Sequence, residues 1–314
     1  MIRDGRPTPE SGSRNGTAGP YDDVVGMDAD FLRKLEYLNL VARRILAGVV
    51  RADRKSPRKG VSAEFADHRP YTPGDDYRHV DWHLFGRLEE LFLKLYREEE
   101  NLHLTVLLDT SSSMARGKID KLGYSLQVAA ALGYIGMANM DAVNVIPFGE
   151  GCGEGLWGQK GKSRIFPLLE FLRGVRPGGE TDLVRSCREF IVRERRRGIV
   201  IVLSDFYDLD GIETGIKYLQ YPRNEVYVIQ VRDQSELDPP LRGDLRLADS
   251  ETGSMREINI TDSLLKKYRA AVEELATRVE TFCNRREIGY VLAQTEIPFD
   301  QLVLLILRRG GLVA

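Results

Sequence analysis

Four short segments of nearly continuous apolar residues constrain the fold of this chain more than any other feature. They read LTVLLD (104–109), AVNVIPF (142–148), GIVIVLSDF (198–206) and EVYVIQV (225–231). Strands that are apolar without alternation are typical of parallel strands buried on both faces. Because helical segments separate them, we predict an α/β fold, a doubly wound and mostly parallel sheet that is flanked by helices.

Hydrophobic periodicity extends this prediction along the same region. Helices are predicted over 118–139, 164–172, 183–195, 212–219, 262–283 and 299–308, with Thr261 as the N-cap of the long helix. A β-hairpin is predicted from 244–248 and 255–258, and a last strand over 287–293. We therefore assign residues 101–314 to one α/β domain.

The first hundred residues divide into a tail and a preceding segment. Residues 1–26 are rich in Gly and Pro and poor in apolar side chains, so they are predicted to be a disordered tail that stability does not require. Apolar residues recur at helical spacing from Asp30 to about Gly48, which predicts an amphipathic helix. Residues 27–100, which hold this helix, are expected to pack on the α/β domain.

Composition excludes several classes of protein. Lys and Arg total 45 and Asp and Glu total 47, so the formal net charge of −2 supplies no global field for binding nucleic acid. No segment approaches the roughly 18–20 apolar residues of a membrane helix, and no apolar secretory signal follows Met1. The three cysteines are scattered, which does not fit a disulfide scaffold. We expect a cytoplasmic protein without a membrane span.

Oxygen-bearing side chains follow the predicted strands. Asp109 ends the first strand and is followed by Ser111 and Ser113, Thr181 lies in the loop Gly178–Asp182, and Asp205 ends the strand 198–206. Ligands of open α/β sheets bind beyond the carboxyl ends of the strands. A site of carboxylates and hydroxyls suits Mg²⁺ or Mn²⁺ better than zinc. The alternative is that Asp109 and the serines only cap the following helix.

These five residues resemble the metal-ion-dependent adhesion site of von Willebrand factor type A domains, which have a Rossmann-like fold. That family's pattern is Asp-x-Ser-x-Ser, then a Thr, then an Asp, and all positions are filled here in order. The resemblance implies that Asp109, Ser111, Ser113, Thr181 and Asp205 bind Mg²⁺ or Mn²⁺. Two carboxylates around a divalent cation leave the site about neutral, so we expect an open position on the metal that takes the Asp or Glu carboxylate of a protein partner. We therefore interpret the chain as a metal-dependent interaction module that is not an enzyme.

A second resemblance covers residues 60–100. The run Arg69-Pro70-Tyr71-x-Pro73-Gly74-Asp75-Asp76-x-Arg78-x-x-Asp81-Trp82 is similar to the signature of the family called domain of unknown function 58. In that family the signature directly precedes a type A domain. The resemblance implies a bacterial cytoplasmic protein that is paired with an AAA+ ATPase of the MoxR type, in a chaperone-like or assembly role.

The residues of this segment also allow an interpretation of their own. Residues 91–96 alternate in polarity, which predicts an edge strand. The charged side chains are predicted to form a buried ion network that ties the segment to the α/β domain, with a partner-contact surface as the alternative; they are Arg69, Asp75, Asp76, Arg78 and Asp81. Trp82 is predicted to be a buried anchor.

Other motifs are weaker. His79 and His83 are four residues apart but lack further zinc ligands, and Gly153, Gly155 and Gly158 fit a mobile loop better than a dinucleotide fingerprint. Leu156 occupies the position where a P-loop before Gly161-Lys162-Ser163 needs glycine. An Mg²⁺-dependent phosphohydrolase that uses the same strand-end site remains the alternative function.

Overall fold

The computed structural model describes residues 28–52, 64–97, 102–115, 120–207, 209–221, 224–237, 239, 242–248 and 255–308. The helices are α1 (Ala29–Ala52), α2 (Trp82–Leu88), α3 (Lys121–Ala138), α4 (Ile165–Gly174), α5 (Leu183–Arg193), α6 (Leu209–Gln220), α7 (Gln234–Leu237), α8 (Asp262–Arg285) and α9 (Phe299–Arg308). The strands are β1 (Glu64–Pro70), β2 (Phe92–Arg97), β3 (His103–Asp109), β4 (Ala142–Phe148), β5 (Leu156–Gln159), β6 (Ile199–Ser204), β7 (Glu225–Arg232), β8 (Gly243–Ala248), β9 (Met255–Ile260) and β10 (Gly289–Gln294). The predicted tail, residues 1–26, lies outside the described residues.

Six strands form a central sheet in the order β10-β7-β6-β3-β4-β5. The pairs β10–β7, β7–β6, β6–β3 and β3–β4 are parallel, and only β5 runs antiparallel, at the edge next to β4. The chain goes from β3 to β4 on one side and later returns to β6 on the other side. The strand order therefore reverses between β3 and β6, where α/β sheets bind their ligands.

Alternating side chains of the strands supply two hydrophobic clusters, one on each face of the sheet. One cluster joins the sheet to α1, α3, α4 and α9, and the other joins it to α5, α6 and α8. This arrangement confirms the mixed α/β fold with a mostly parallel sheet between layers of helices. It also explains why the strands read as continuous apolar runs, since both of their faces are covered.

Helix α3 is buried on nearly all of its sides, and apolar residues accordingly occur all around the helix and not on one face. Gly136 lets the helix approach the sheet closely, because an added Cβ would lie 2.8 Å from Leu104 Cδ2 and 2.9 Å from Val143 Cγ2. The helix begins at its N-cap Asp120, whose carboxylate accepts from the backbone N–H of Leu122 at 3.0 Å.

The predicted N-terminal helix is present and belongs to the α/β unit. Phe31, Leu35 and Leu38 of α1 are buried in the cluster that includes α3 and α9. The rings of Phe31 and Phe299 lie 5.3 Å apart, and Arg43 Nη2 donates to the carbonyl of Ala138 at 3.2 Å. Helix α1 is therefore a part of the hydrophobic core that comes before the sheet in sequence.

Residues 64–97 form a small unit of their own, called here the hairpin module. Its strands β1 and β2 pair antiparallel in a two-stranded sheet that is separate from the central one, so β2 is not an edge strand of the main sheet. Asp81 caps α2 by accepting from the backbone N–H of His83 and Leu84 at 3.0 and 3.2 Å. None of the described residues of this module belongs to either hydrophobic cluster.

Two predictions for the module were wrong. Trp82 is 61% exposed and meets Phe85 edge to face with ring centroids 6.2 Å apart, so it is not a buried anchor. The expected ion pairs form, Arg69 with Asp75 and Arg78 with Asp76, but they lie near the surface and close local turns within the module. Arg69 and Asp75 are six residues apart in the chain, and Arg78 and Asp76 are two residues apart, so neither ion pair needs a long-range contact to form.

The other differences from the expected elements are small. Strand β5 forms where the glycine-containing loop was predicted, because Leu156 and Gln159 pair with Val145 and Val143 of β4. The hairpin β8–β9, the N-cap Thr261 and the last helix are confirmed. None of the helices within the described residues combines the length and apolar character needed to cross a bilayer.

Candidate functional site

Two acidic residues meet where the strand order reverses. Strands β3 and β6 are parallel neighbours with Leu108 opposite Leu203, so both chains leave the sheet at the same level. Asp109 is the last residue of β3 and is fully buried, and Asp205 follows the last residue of β6 and is 5% exposed. The parallel register thus brings together carboxyl groups that lie 96 residues apart in the chain.

Hydrogen bonds from three segments fix the carboxyl group of Asp109. Its Oδ1 accepts from the backbone N–H of Ser111 at 2.9 Å and from Thr181 Oγ1 at 3.3 Å, and its Oδ2 accepts from Ser204 Oγ at 2.6 Å. Ser204 had not been predicted as a site residue, although it directly precedes Asp205. Its hydroxyl links the ends of β3 and β6.

A chain of hydroxyls continues from Asp109 to Asp205. Ser111 Oγ and Ser113 Oγ lie 3.0 Å apart, and Ser113 Oγ donates to Asp205 Oδ2 at 2.8 Å. Ser111 is buried and Ser113 is partly exposed, so the chain approaches the surface at Ser113, between the two buried carboxyl groups. All five predicted residues therefore lie in one connected group of hydrogen-bonded side chains.

Backbone hydrogen bonds hold the loop of Thr181 against the loop of the two serines. Gly178 N–H donates to the carbonyl of Thr110 at 2.8 Å, and Ser112 N–H donates to that of Gly179 at 3.1 Å. Gly179 has φ +77°, a conformation that a side chain would disfavour. The Gly178-Gly179 pair therefore supplies the turn that brings Thr181 to Asp109.

The position of Asp205 is fixed by a strained turn. The next residue, Phe206, is buried with φ 56°, which is rare for a residue with a large side chain. Gln230 Nε2 donates to the backbone carbonyl of Asp205 at 3.0 Å, and Tyr290 Oη donates to Gln230 Oε1 at 2.8 Å. Such conformations concentrate at functional sites, where the surrounding contacts maintain them.

Lys121 is a site residue that sequence reasoning missed. Its side chain is fully buried, and its Nζ lies 2.8 Å from Asp205 Oδ2 and in close contact with Glu236 Oε1. Burial alone would lower the pKa of Lys121, but the charges of the two carboxylates outweigh burial and raise it, so the group is an ammonium. No feature of the sequence distinguishes Lys121 from a solvent-exposed lysine in the first turn of a helix.

The electrostatics of the site are unfavourable for a bare carboxylate. Burial, and then the charge of Asp205, raise the pKa of Asp109 to about 6, although the hydrogen bonds from Ser204 and Ser111 act in the opposite direction. A pocket of about 240 Å³ adjoins Asp109, Thr181 and Asp205. The pocket leaves room for an ion or a small ligand beside these oxygen atoms.

The donor set fits a hard divalent cation. It offers two carboxylates and three hydroxyls, which are the ligand types that Mg²⁺ and Mn²⁺ prefer. Among the described residues, no group of three or more His, Cys, Asp or Glu side chains is arranged to hold a metal.

Curated relatives of this chain come from mycobacteria. Uncharacterized proteins of Mycobacterium tuberculosis and Mycobacterium bovis are 25% identical over 302 residues, with 91% of this chain and 92% of theirs covered. An uncharacterized protein of Mycobacterium avium is 35% identical over 94 residues, which are 30% of this chain and 55% of that protein.

Solved structures that match are more distant in sequence. The conserved hypothetical protein BatB from Bacteroides thetaiotaomicron is 14% identical, has a TM-score of 0.40, and is covered over its whole length by 67% of this chain. An aerotolerance-related membrane protein from Bacteroides fragilis is also 14% identical, has a TM-score of 0.35, and is covered to 99% by 66% of this chain.

The family match is extensive. The family model described as "Protein of unknown function DUF58" matches residues 67–278, which include the hairpin module from Asp67 onward and the strands that carry the candidate site. Its matched range begins just before the Arg69–Trp82 signature and covers more than half of the chain. This chain belongs to the DUF58 family.

Proposed function

We propose that this protein is a divalent-metal-dependent protein-interaction module, and that its α/β unit is a von Willebrand factor type A domain with a metal-ion-dependent adhesion site. One observation carries the proposal. Asp109, Ser111, Ser113, Thr181 and Asp205 come from three separate loops and join in one hydrogen-bonded group at the point where the strand order reverses.

The charge of the site supports a cation. The site holds three carboxylates, those of Asp109, Asp205 and Glu236, and one ammonium, that of Lys121, which contacts Asp205 and Glu236. These four groups carry two negative charges more than positive ones when all are ionised. Uncompensated buried charge is costly, and a divalent cation would balance it. Mg²⁺, or Mn²⁺, is the cation that the oxygen donors favour.

The five residues would hold the metal, and the metal would supply a Lewis acid for a ligand from outside. Three of the five donors are uncharged hydroxyls, so a bound dication keeps affinity for an anionic ligand. The partner would provide an Asp or Glu carboxylate at the open position. The hydroxyl of Ser113 donates to Asp205 and that of Thr181 donates to Asp109, so both hydroxyls would orient the carboxylates that bind the metal. We assign no catalytic residue.

The partner that we favour is an AAA+ ATPase of the MoxR type, in the bacterial cytoplasm and in a chaperone-like or assembly role. This part of the proposal is supported by the family resemblance of the Arg69–Trp82 signature and not by a contact in the structure. It predicts that complex formation requires the metal, because the carboxylate of the partner would bind at the open position of the metal, while the ammonium of Lys121 is already paired with Asp205 and Glu236.

Metal binding by the full chain tests the proposal. Mn²⁺ and Mg²⁺ would be titrated calorimetrically into the wild type, Asp109→Asn and Glu150→Gln, with and without acetate as a carboxylate probe. Glu150 is an exposed carboxylate after β4 at the same edge of the sheet, so its variant is a control for loss of charge. We expect one ion per chain in the wild type and the control, and none in Asp109→Asn.

Two results would contradict the proposal. One is equal metal affinity in Asp109→Asn and the wild type, and the other is no binding by the wild type with acetate present. Hydrolysis of simple phosphate esters with Mg²⁺, lost in Asp109→Asn, would instead establish the phosphohydrolase as the function of the site.

A further inference from the structure

Lys121 places a permanent positive charge inside a site that is proposed to bind a metal cation. The side chain extends from the first turn of α3 and is 0% exposed. Its Nζ contacts two carboxylates, Asp205 and Glu236, and lies 5.1 Å from the centre of the Tyr207 ring. A lysine in this environment is an integral part of the site.

One oxygen atom connects the lysine to the proposed ligands. Asp205 Oδ2 accepts from Ser113 Oγ and from Lys121 Nζ, both at 2.8 Å. A carboxylate that is already paired with an ammonium is a weaker donor to a metal than a free one, because the two cations share the same negative charge and repel each other. The ammonium and a metal would therefore compete for Asp205.

Glu236 works against this competition. It lies in α7, directly after β7, where its Oε2 accepts from the backbone N–H of Asp233 at 3.3 Å. Its other oxygen contacts Lys121 and so draws part of the ammonium's charge away from Asp205. The division of Lys121 between the two carboxylates thus sets how much negative charge Asp205 can offer to a metal.

We propose that Lys121 is a positioning residue that tunes the site. Through its contact with Asp205 it lowers the affinity for the divalent cation, and it leaves the bound cation with more charge for the carboxylate of a partner. Glu236 moderates both effects. The two affinities should therefore change in opposite directions when the charge of Lys121 or Glu236 is removed. This inference rests on the proposed function, because it requires that a metal binds.

The test compares Mn²⁺ binding by the full-length wild type, Lys121→Met and Glu236→Gln. Affinity would be measured by electron paramagnetic resonance, and acetate would serve as the carboxylate probe. Acetate that replaces water on the bound Mn²⁺ lowers the relaxation enhancement of the water protons, which gives a second and independent readout. Lys162→Met is the matched control, since its ammonium pairs with Glu36 at 2.8 Å on another part of the surface.

We expect Lys121→Met to bind Mn²⁺ roughly tenfold more tightly or better, and to need more acetate for the same loss of relaxation. Glu236→Gln should bind Mn²⁺ more weakly and respond to less acetate. The double variant Lys121→Met/Glu236→Gln removes one charge of each sign and should lie near the wild type. The control should equal the wild type.

A purely structural role for Lys121 would overturn the inference. It would appear as weaker or unchanged Mn²⁺ binding in Lys121→Met, with no opposite change in Glu236→Gln. If Lys121→Met does not fold by circular dichroism, the sign of the change in Glu236→Gln decides alone, because Glu236 is partly exposed and its amide keeps the shape. Failure of the wild type to bind Mn²⁺ would instead contradict the proposed function itself.

Discussion

The α/β unit and the hairpin module are stabilised in different ways. In the α/β unit, two hydrophobic clusters cover both faces of the sheet, and the large apolar side chains of α3 and β6 are buried. In the hairpin module, Val80 and Leu93 are buried, but Tyr77, Trp82 and Leu88 are mostly exposed. Its loops are closed by ion pairs such as Arg69 with Asp75.

The carboxyl groups show the same contrast. Burial raises the pKa of Asp109 and Asp141 in the α/β unit to about 6. In the hairpin module, a side-chain hydrogen bond from Arg78 lowers the pKa of Asp76 to about 2, and one from His68 lowers that of Asp81 to about 2. The α/β unit therefore buries acidic groups at a cost, one of them being Asp109 at the candidate site, whereas the module uses its acidic groups to hold local turns.

The largest expected effect comes from the core of the α/β unit. Leu126→Ala on α3 removes a fully buried side chain and should lower the free energy of unfolding by roughly 2–5 kcal/mol. Leu88→Ala on α2 removes the same atoms from an exposed position and should change it little. Urea unfolding of both variants measures the difference. Equal losses would show that the module is as tightly packed as the sheet.

An intermediate effect concerns pH. The raised pKa of Asp141 means that the folded state binds this proton more tightly than the unfolded chain, whose Asp groups titrate near 3.9. The α/β unit should therefore gain thermal stability between pH 7 and pH 5, to which Asp109 also contributes in EDTA. Asp141→Asn should be more stable than the wild type at pH 7. Its melting temperature should also rise less than that of the wild type between pH 7 and pH 5.

Asp76→Asn in the module is the control for this pH experiment. The lowered pKa of Asp76 means that its contribution to stability is complete above about pH 4 and is lost only as the pH falls through about 2. This variant should keep the full gain between pH 7 and pH 5. The measurement is the melting temperature of both variants and the wild type at pH 7 and pH 5. If Asp141→Asn gains as much thermal stability as the wild type, the contrast between the acidic groups of the two regions is contradicted.

The smallest expected effect belongs to Trp82. Because this side chain is 61% exposed, Trp82→Ala should change the free energy of unfolding by no more than about 0.5 kcal/mol. The measurement is urea unfolding of the full chain beside the wild type. A loss of several kcal/mol would mean that Trp82 is buried in solution, and the two regions would then be less different than the structure indicates.

The sequence by itself determined the α/β class and most of the elements. The apolar runs of β3, β4, β6 and β7 leave no solvent-facing side for a strand, which requires helices on both faces. The sequence placed Asp109, Ser111, Ser113 and Asp205 at or just after the ends of strands, and Thr181 in the turn before a helix. Local patterns suffice for this, because the period of side chains along a strand or helix does not depend on distant contacts.

Only the tertiary structure decided what surrounds those donors. Ser204 reaches Asp109 through the parallel register of β3 with β6. Lys121, in the first turn of α3, reaches Asp205 and also Glu236 in α7. Likewise, Trp82 is as apolar in sequence as a core residue, yet it lies on the surface of the module. Burial and the sharing of charge depend on which segments meet in space, and residues far apart in the chain carry no local pattern that reports such a meeting.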